Sequence, residues 1–149
     1  MKFGWINLFG GLIVAIMLIP NIIYAIKYKG EKNLCKNKLM NVPEQVSRYA
    51  CIILMWLPLL VWEFGFSTKV EALIYMFGNG FLLFEYLLVF ALHLRKRTRM
   101  TSLILAVLPA SIFLMSGLLL HHWLLVAFAA VFGYSHLYVT VQNLEPKDE

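Results

Sequence analysis

The stretch TSLILAVLPASIFLMSGLLLHHWLLVAFAAVFGYSHLYVTV, residues 101–141, contains no aspartate, glutamate, lysine or arginine. As one continuous helix its 41 residues would reach about 60 Å at 1.5 Å per residue. That is about twice the hydrocarbon core of a bilayer, so the run has to fold back on itself. Gly117 and the polar pair His121–His122 mark the turn. Two spans result, 101–120 and 123–141. Upstream lie three more apolar runs, at 5–26, 49–66 and 73–94. The whole chain of 149 residues is 61% hydrophobic and only 14% charged, against about 25% charged in a soluble domain. The charges collect in short segments between the runs, as in membrane proteins. The reading is all-α: a polytopic membrane helix bundle of five transmembrane helices forming a single integral membrane domain, 1–149.

Charge asymmetry orients the bundle. Lys27, Lys29, Lys32, Lys36, Lys38 and Arg48 follow the first span, Arg95, Lys96, Arg97 and Arg99 follow the third, and Lys147 lies in the tail. Eleven of the 13 basic residues thus fall on one side, leaving Lys2 and Lys69 on the other. Lysine and arginine stay inside, so the N-terminus is expected outside and the C-terminus in the cytoplasm. The formal charge of +5 is therefore an orientation signal. A nucleic-acid site would need a folded basic face with base-reading residues. The first run exceeds the usual signal-peptide core and no A-x-A-like site follows it, so it reads as a membrane helix. In NVPEQVSRYA, Asn41 is expected to cap the second helix, with Pro43 in its first turn and Glu44 favouring the N-terminus.

An ionisable residue at mid-membrane costs at least ~2.5–3.5 kcal/mol unless paired, hydrated or neutralised, and marks a functional site by default. Glu85 is such a residue. At 100° per residue, Tyr75, Asn79, Glu85, Tyr86 and His93 share an arc of about 120° on the third span. Asn7 and Asn21 share a stripe on the first, and Ala129, Gly133, His136 and Thr140 share one on the fifth. The candidate substrate- or ion-binding set is Glu85, Asn21, Asn79, Tyr86 and His136, with His136 the only cationic partner for Glu85 at comparable depth. Beside this stands a structural reading, since interhelical hydrogen bonds from Asn, His and Tyr are common glue worth ~0.6 kcal/mol each. Glu63 reads as a charge at the outer end of its span, and Pro20, Pro58 and Pro109 each break a backbone hydrogen bond.

His93 and His136 form the one pair that facing helices could offer to haem. The chain has no C-x-x-C-H, no H-E-x-x-H, no nucleophile motif and no phosphate-binding glycine loop. Cys35 and Cys51 are not spaced for a metal and fall on the reducing cytoplasmic side. No cofactor and no metal are expected, and an intramembrane enzyme or haem protein stands as a third, less favoured reading.

The segments LIPNIIYAIKYKGEKNLCKNK, LPASIFLMSGLLL and FGYSHLYVTVQN resemble uncharacterised small five-span membrane proteins of low-GC Gram-positive bacteria. The resemblance covers most of the chain. It implies the five-span topology and a bacterial plasma membrane, and no activity. Locally, GGLIVAIMLIPNIIYAIKYK is similar to the first helix of PQ-loop transporters, with Pro20–Asn21 in the place of the proline–glutamine pair. The longer first loop, the five spans and the lack of a second proline-polar motif depart from that pattern. Two functions fit these observations. One is a carrier or channel for a small solute or cation, oligomeric if five helices do not enclose a path. The other is an accessory or regulatory subunit bound to another membrane protein through stripes of small residues such as Ala129–Gly133. The bilayer is the partner common to both.

Overall fold

The computed structural model describes residues 6–29, 33–57, 59–61 and 65–144. Among these are five helices and no strand: α1 (Leu8–Lys27), α2 (Lys38–Leu54), α3 (Lys69–Arg95), α4 (Arg99–Leu119) and α5 (Trp123–Leu144). Each helix starts on a side-chain cap, which satisfies backbone donors that have no intrahelical partner. Asn7 accepts from Gly10 N at 3.1 Å, and Asn37 from Leu39 N at 3.0 Å. Thr68 and Glu71 form a reciprocal capping box on α3, as do Thr98 and Thr101 on α4. His122 Nδ1 accepts from Leu125 N at 3.3 Å to open α5. The fold-back at His121–His122 is where the sequence put it. His121 adopts a left-handed φ of 54°, and His122 N donates to Gly117 O at 2.8 Å. Gly117 is needed there, because a Cβ would stand 3.0 Å from Val126 N.

The contacts at the helix ends fix an up-and-down order. At one end Asn7 N donates to Trp56 O at 2.8 Å, Asn7 Nδ2 to the Tyr75 hydroxyl at 3.1 Å, and Ser116 to Asn79 at 3.2 Å. This end, which also holds His122, joins the start of α1, the end of α2, the start of α3 and the α4–α5 turn. At the opposite end Leu34 N donates to Asn143 at 2.7 Å, Lys27 Nζ to Leu94 O at 3.4 Å, and His93 pairs with Thr101 at 2.8 Å. The two are called the His122 end and the Asn143 end below. Along the bundle α4 lies between α3 and α5, α2 lies on α5, and α1 leans on α3. The core is apolar, with Tyr75, Met55, Ile112, Leu120 and Leu125 fully enclosed.

Four helices, α1, α3, α4 and α5, are long and apolar enough to cross a membrane, which is the architecture of a multi-pass membrane protein. Their bounds lie within about four residues of the expected spans. The second span differs. Its helix begins at Lys38 on an Asn37 cap and ends at Leu54, so residues 49–66 are not one helix. The residue before a proline is pushed out of the α region, and Pro58 follows the last turn closely. Asn41 is not the cap. Its amide donates to Cys35 O at 2.7 Å and its oxygen accepts from Asn33 at 2.9 Å. Pro43 and Glu44 are consequently mid-helix residues.

α2 is amphipathic in the inverse of the soluble sense. Glu44, Ser47 and Cys51 are buried, while Leu39, Val42, Val46 and Ile53 are exposed. The Ala129–Gly133 stripe, expected to serve a partner, is used inside the chain: Ala129 is buried, and a Cβ on Gly133 would lie 3.1 Å from the Ala110 methyl of α4. Glu63 and Pro58 lie outside the described residues.

Candidate functional site

Between α1 and the other four helices lies a cavity of about 1060 Å³ whose walls come from all five. It exists because α1 is pinned at its two ends. Asn7 and Gly10 hold the His122 end, where a Cβ on Gly10 would fall 2.1 Å from Met55 O. At the other end Tyr24 lies against Phe90 and His93, with ring centroids 6.4 and 6.2 Å away. Between these pins Val14, Met17 and Asn21 line the cavity.

Among the described residues one carboxylate stands on the cavity wall, and it is Glu44. It is only 2% exposed. Arg48, one turn further along α2, donates to Glu44 Oε1, and His136 Nδ1 of α5 lies 2.9 Å from the same oxygen. Arg48 also comes within 3.4 Å of His136 Nδ1. The imidazole is stacked on Phe132 at 4.9 Å and 18°, and the Arg48 guanidinium lies 6.0 Å from that ring. A buried carboxylate is tolerated only when charge and hydrogen bonds replace lost water, and here two cationic or polar donors do so. The i,i+4 spacing brings Arg48 to Glu44 along one helix face, and α5 supplies the third member.

Above the triad, Asn21 donates to Met17 O at 2.9 Å and stands close to the Tyr86 hydroxyl. Towards the Asn143 end the rim carries Arg97, Arg99, His93 and Thr98. Arg97 is held by the α1 aromatics: it donates to the Tyr24 hydroxyl, and its guanidinium lies 4.4 Å from the Tyr28 centroid and 5.4 Å from that of Tyr24. Deeper, the wall is apolar, built from Val14, Met17, Ala106, Phe113 and Phe132.

The His122 end holds a second polar group of a different kind. Asn7, Tyr75, Asn79 and Ser116 are all 0% exposed. Asn7 binds Tyr75 at 3.1 Å and reaches Met55 O at 3.4 Å, while Ser116 binds Asn79 at 3.2 Å. His122, outside the apolar helices, is also fully enclosed, and burial pulls its imidazole below the ordinary range, favouring the neutral form. None of these residues lines the cavity.

Of the five residues singled out in the sequence, the fold brings Asn21, Tyr86 and His136 together around the cavity. Asn79 sits in the sealed cluster, and its Nδ2 has no hydrogen-bond partner among the described residues. Glu85 is half-buried, does not line the cavity and makes no hydrogen bond or ion pair among the described residues. Expected as the partner of Glu85, His136 binds Glu44 instead. Both histidines raised for haem are engaged through Nδ1, His93 with Thr101 and His136 with Glu44. No group of three His, Cys, Asp or Glu among the described residues is placed to hold a metal ion. The residues that sequence reasoning missed are Glu44 and Arg48. Their signal was there: Glu44, Ser47, Arg48 and Cys51 recur at helical spacing opposite Leu39, Val42, Val46 and Ile53. Comparison with protein-family models, curated proteins and solved structures finds no match.

Proposed function

We propose that the protein is a carrier of the bacterial plasma membrane that holds a small solute in the cavity between α1 and the other helices. The observation that supports this reading is the cavity itself, about 1060 Å³ inside the bundle and walled partly by charged side chains. Ionisable residues within a membrane bundle mark substrate and ion pathways. An accessory subunit would need a docking face but no such interior. The inverse amphipathicity of α2 supports a place for this helix in the bilayer too, because its apolar face points outward where lipid would meet it. The basic residues supply the orientation: they crowd the segments at the Asn143 end, so that end, with the cavity rim, is cytoplasmic.

The test is flux into proteoliposomes of a panel of protons, small cations, small organic anions and sugars. The expected result is saturable flux of one class, lowered at least tenfold by Arg48→Ala in protein that still folds. A panel with no flux above that of empty vesicles overturns the carrier reading.

A further inference from the structure

The two ring nitrogens of His136 stand in different surroundings. Nδ1 lies 2.9 Å from Glu44 Oε1, the oxygen that also accepts from the Arg48 guanidinium. An ionised carboxylate can only accept, and two acceptors repel at that distance. Nδ1 therefore carries a hydrogen and donates it to Glu44. Arg48 also comes within 3.4 Å of Nδ1, but a nitrogen that bears hydrogen cannot accept from it, so Arg48 is committed to the carboxylate. In a neutral imidazole this leaves Nε2 bare, with its lone pair available. Which nitrogen carries the hydrogen follows from the contact with Glu44 and is independent of the total charge at the Asn143 end.

Nε2 has no hydrogen-bond partner among the described residues, yet it is not an enclosed atom. The side chain is 22% exposed and borders the cavity. The ring is also held in place, stacked on the buried Phe132 at 4.9 Å and 18°. A carboxylate that fixes one nitrogen of a histidine sets the tautomer and aims the other nitrogen. Imidazole is the side chain that ordinarily gains and loses a proton between about pH 5 and 8.

The charged and titratable groups around the ring come from every side of the cavity. α5 packs on α2 and α4. From α2 come Glu44 and Arg48, with Tyr49 beside them on the wall. The α4 wall carries Arg99, but Gly133 lies on Ala110, which puts His136 level with Val107 and about 12 Å along the axis from Arg99 at 1.5 Å per residue. Across the cavity stand Tyr86 and His93 of α3, Tyr24 of α1 and Arg97 of the α3–α4 link. Among the described residues the carboxylate that meets the ring is Glu44.

We propose, resting on the carrier reading for the site, that Nε2 of His136 is the proton-binding site of the carrier, that Glu44 is its positioning residue, and that solute flux is coupled to the proton. Hydronium in the cavity gives its proton to the Nε2 lone pair, leaving water and an imidazolium, and release reverses the step. Glu44 keeps its charge throughout. Protonation turns Nε2 from an acceptor into a donor and adds a positive charge beside the solute. A solute that binds the two forms unequally shifts proton binding by the same factor.

The first experiment is ¹⁵N NMR of the whole chain, labelled in its histidine rings and held in lipid nanodiscs, with the His136 signals assigned by their loss in His136→Gln. At about pH 8 the ring should show Nδ1–H and a bare Nε2, and at about pH 5 both nitrogens should carry hydrogen. Glu44→Gln, whose amide can donate to Nδ1, should reverse the tautomer at the higher pH, which loss of a mere packing contact would not do. Should Glu44→Gln not fold, the wild-type tautomer decides the point. Nε2–H in the wild type at the higher pH overturns the proposal, as does an Nε2 that stays bare at the lower. The second experiment adds small cations, small organic anions and sugars in turn to proteoliposomes loaded with the pH dye pyranine. The transported class should move protons with it. His136→Gln should lower that movement at least tenfold, and Glu85→Gln should leave it unchanged. Solute flux without proton movement defeats this proposal and leaves the carrier reading. Proton uptake at Nε2 with no flux of any class defeats the carrier reading and leaves the proton site.

Discussion

The two ends of the bundle solve the same problem in opposite ways. At the His122 end, Asn7, Tyr75, Asn79 and Ser116 are enclosed, uncharged and joined to one another. At the Asn143 end, Glu44, Arg48 and His136 are joined as tightly but border a large cavity. The first arrangement closes the helices on each other. The second keeps charge inside a bundle and leaves room next to it. Polar character within a membrane helix is therefore not a sufficient sign of a site. What separates the two ends is how closely α1 approaches its neighbours: at the Asn143 end the Tyr24 ring stands between α1 and α3, whereas Gly10 permits backbone contact with Met55 at the His122 end.

The largest expected effect comes from breaking that contact. Gly10→Ala would place a methyl 2.1 Å from Met55 O, which no rotamer can relieve, and should cost about 3 kcal/mol, read as a lower thermal midpoint in detergent. If the midpoint is unchanged, α1 is not anchored at this end. Next is Asn7→Ala. It removes the α1 cap and strips the buried Tyr75 hydroxyl of a partner, for a loss of about 2–3 kcal/mol. Both changes should loosen the sealed end.

Arg48→Ala tests the open end. Glu44 keeps only His136 as a partner, and an ion pair broken this way is costly when fully buried. Because Arg48 is about one-third exposed, at 38% of its side chain, water compensates part of the loss. A destabilisation of about 1–2 kcal/mol is expected, smaller than that of Asn7→Ala, together with loss of transport. A stability loss larger than that of Asn7→Ala would invert the comparison, making the triad the structural anchor. The smallest effect is reserved for Glu85. With no hydrogen bond or ion pair among the described residues, Glu85→Gln should change stability by less than about 0.5 kcal/mol and leave flux untouched. Flux lost in Glu85→Gln would place a second carboxylate on the path and break the distinction between the ends.

Much of this architecture was legible in residue order. Helix number, the fold-back at His121–His122 and four of the five spans follow from apolar run length and from where charges interrupt it. These are properties of a chain in a slab of fixed thickness, and need no knowledge of neighbours. The inner face of α3 was legible too: Tyr75, Asn79, Tyr86 and His93 are buried, as a period of 3.6 residues requires. The second helix was expected on an Asn41 cap and through the apolar run to residue 66, whereas it runs from Lys38 to Leu54. Apolar run length places a helix poorly when its polar residues are the buried ones.

The site was decided by tertiary structure. Glu85 carried the strongest signal along the chain, ahead of Asn21, Asn79, Tyr86 and His136, yet the fold sends Asn79 into a sealed contact, leaves Glu85 off the wall and gathers the other three around a cavity. A helical period says which residues share a face. It does not say which helix that face meets, or whether the two touch or stand apart. Here the distance between helices was settled by a few contacts remote in sequence: Gly10 on Met55, Tyr24 on Phe90 and His93, and Glu44 on His136. The sequence by itself determined which residues lie in the apolar helices and which ends carry the charge, because both depend on local composition. Only the packed bundle determined that Glu44, and not Glu85, is the carboxylate with room beside it.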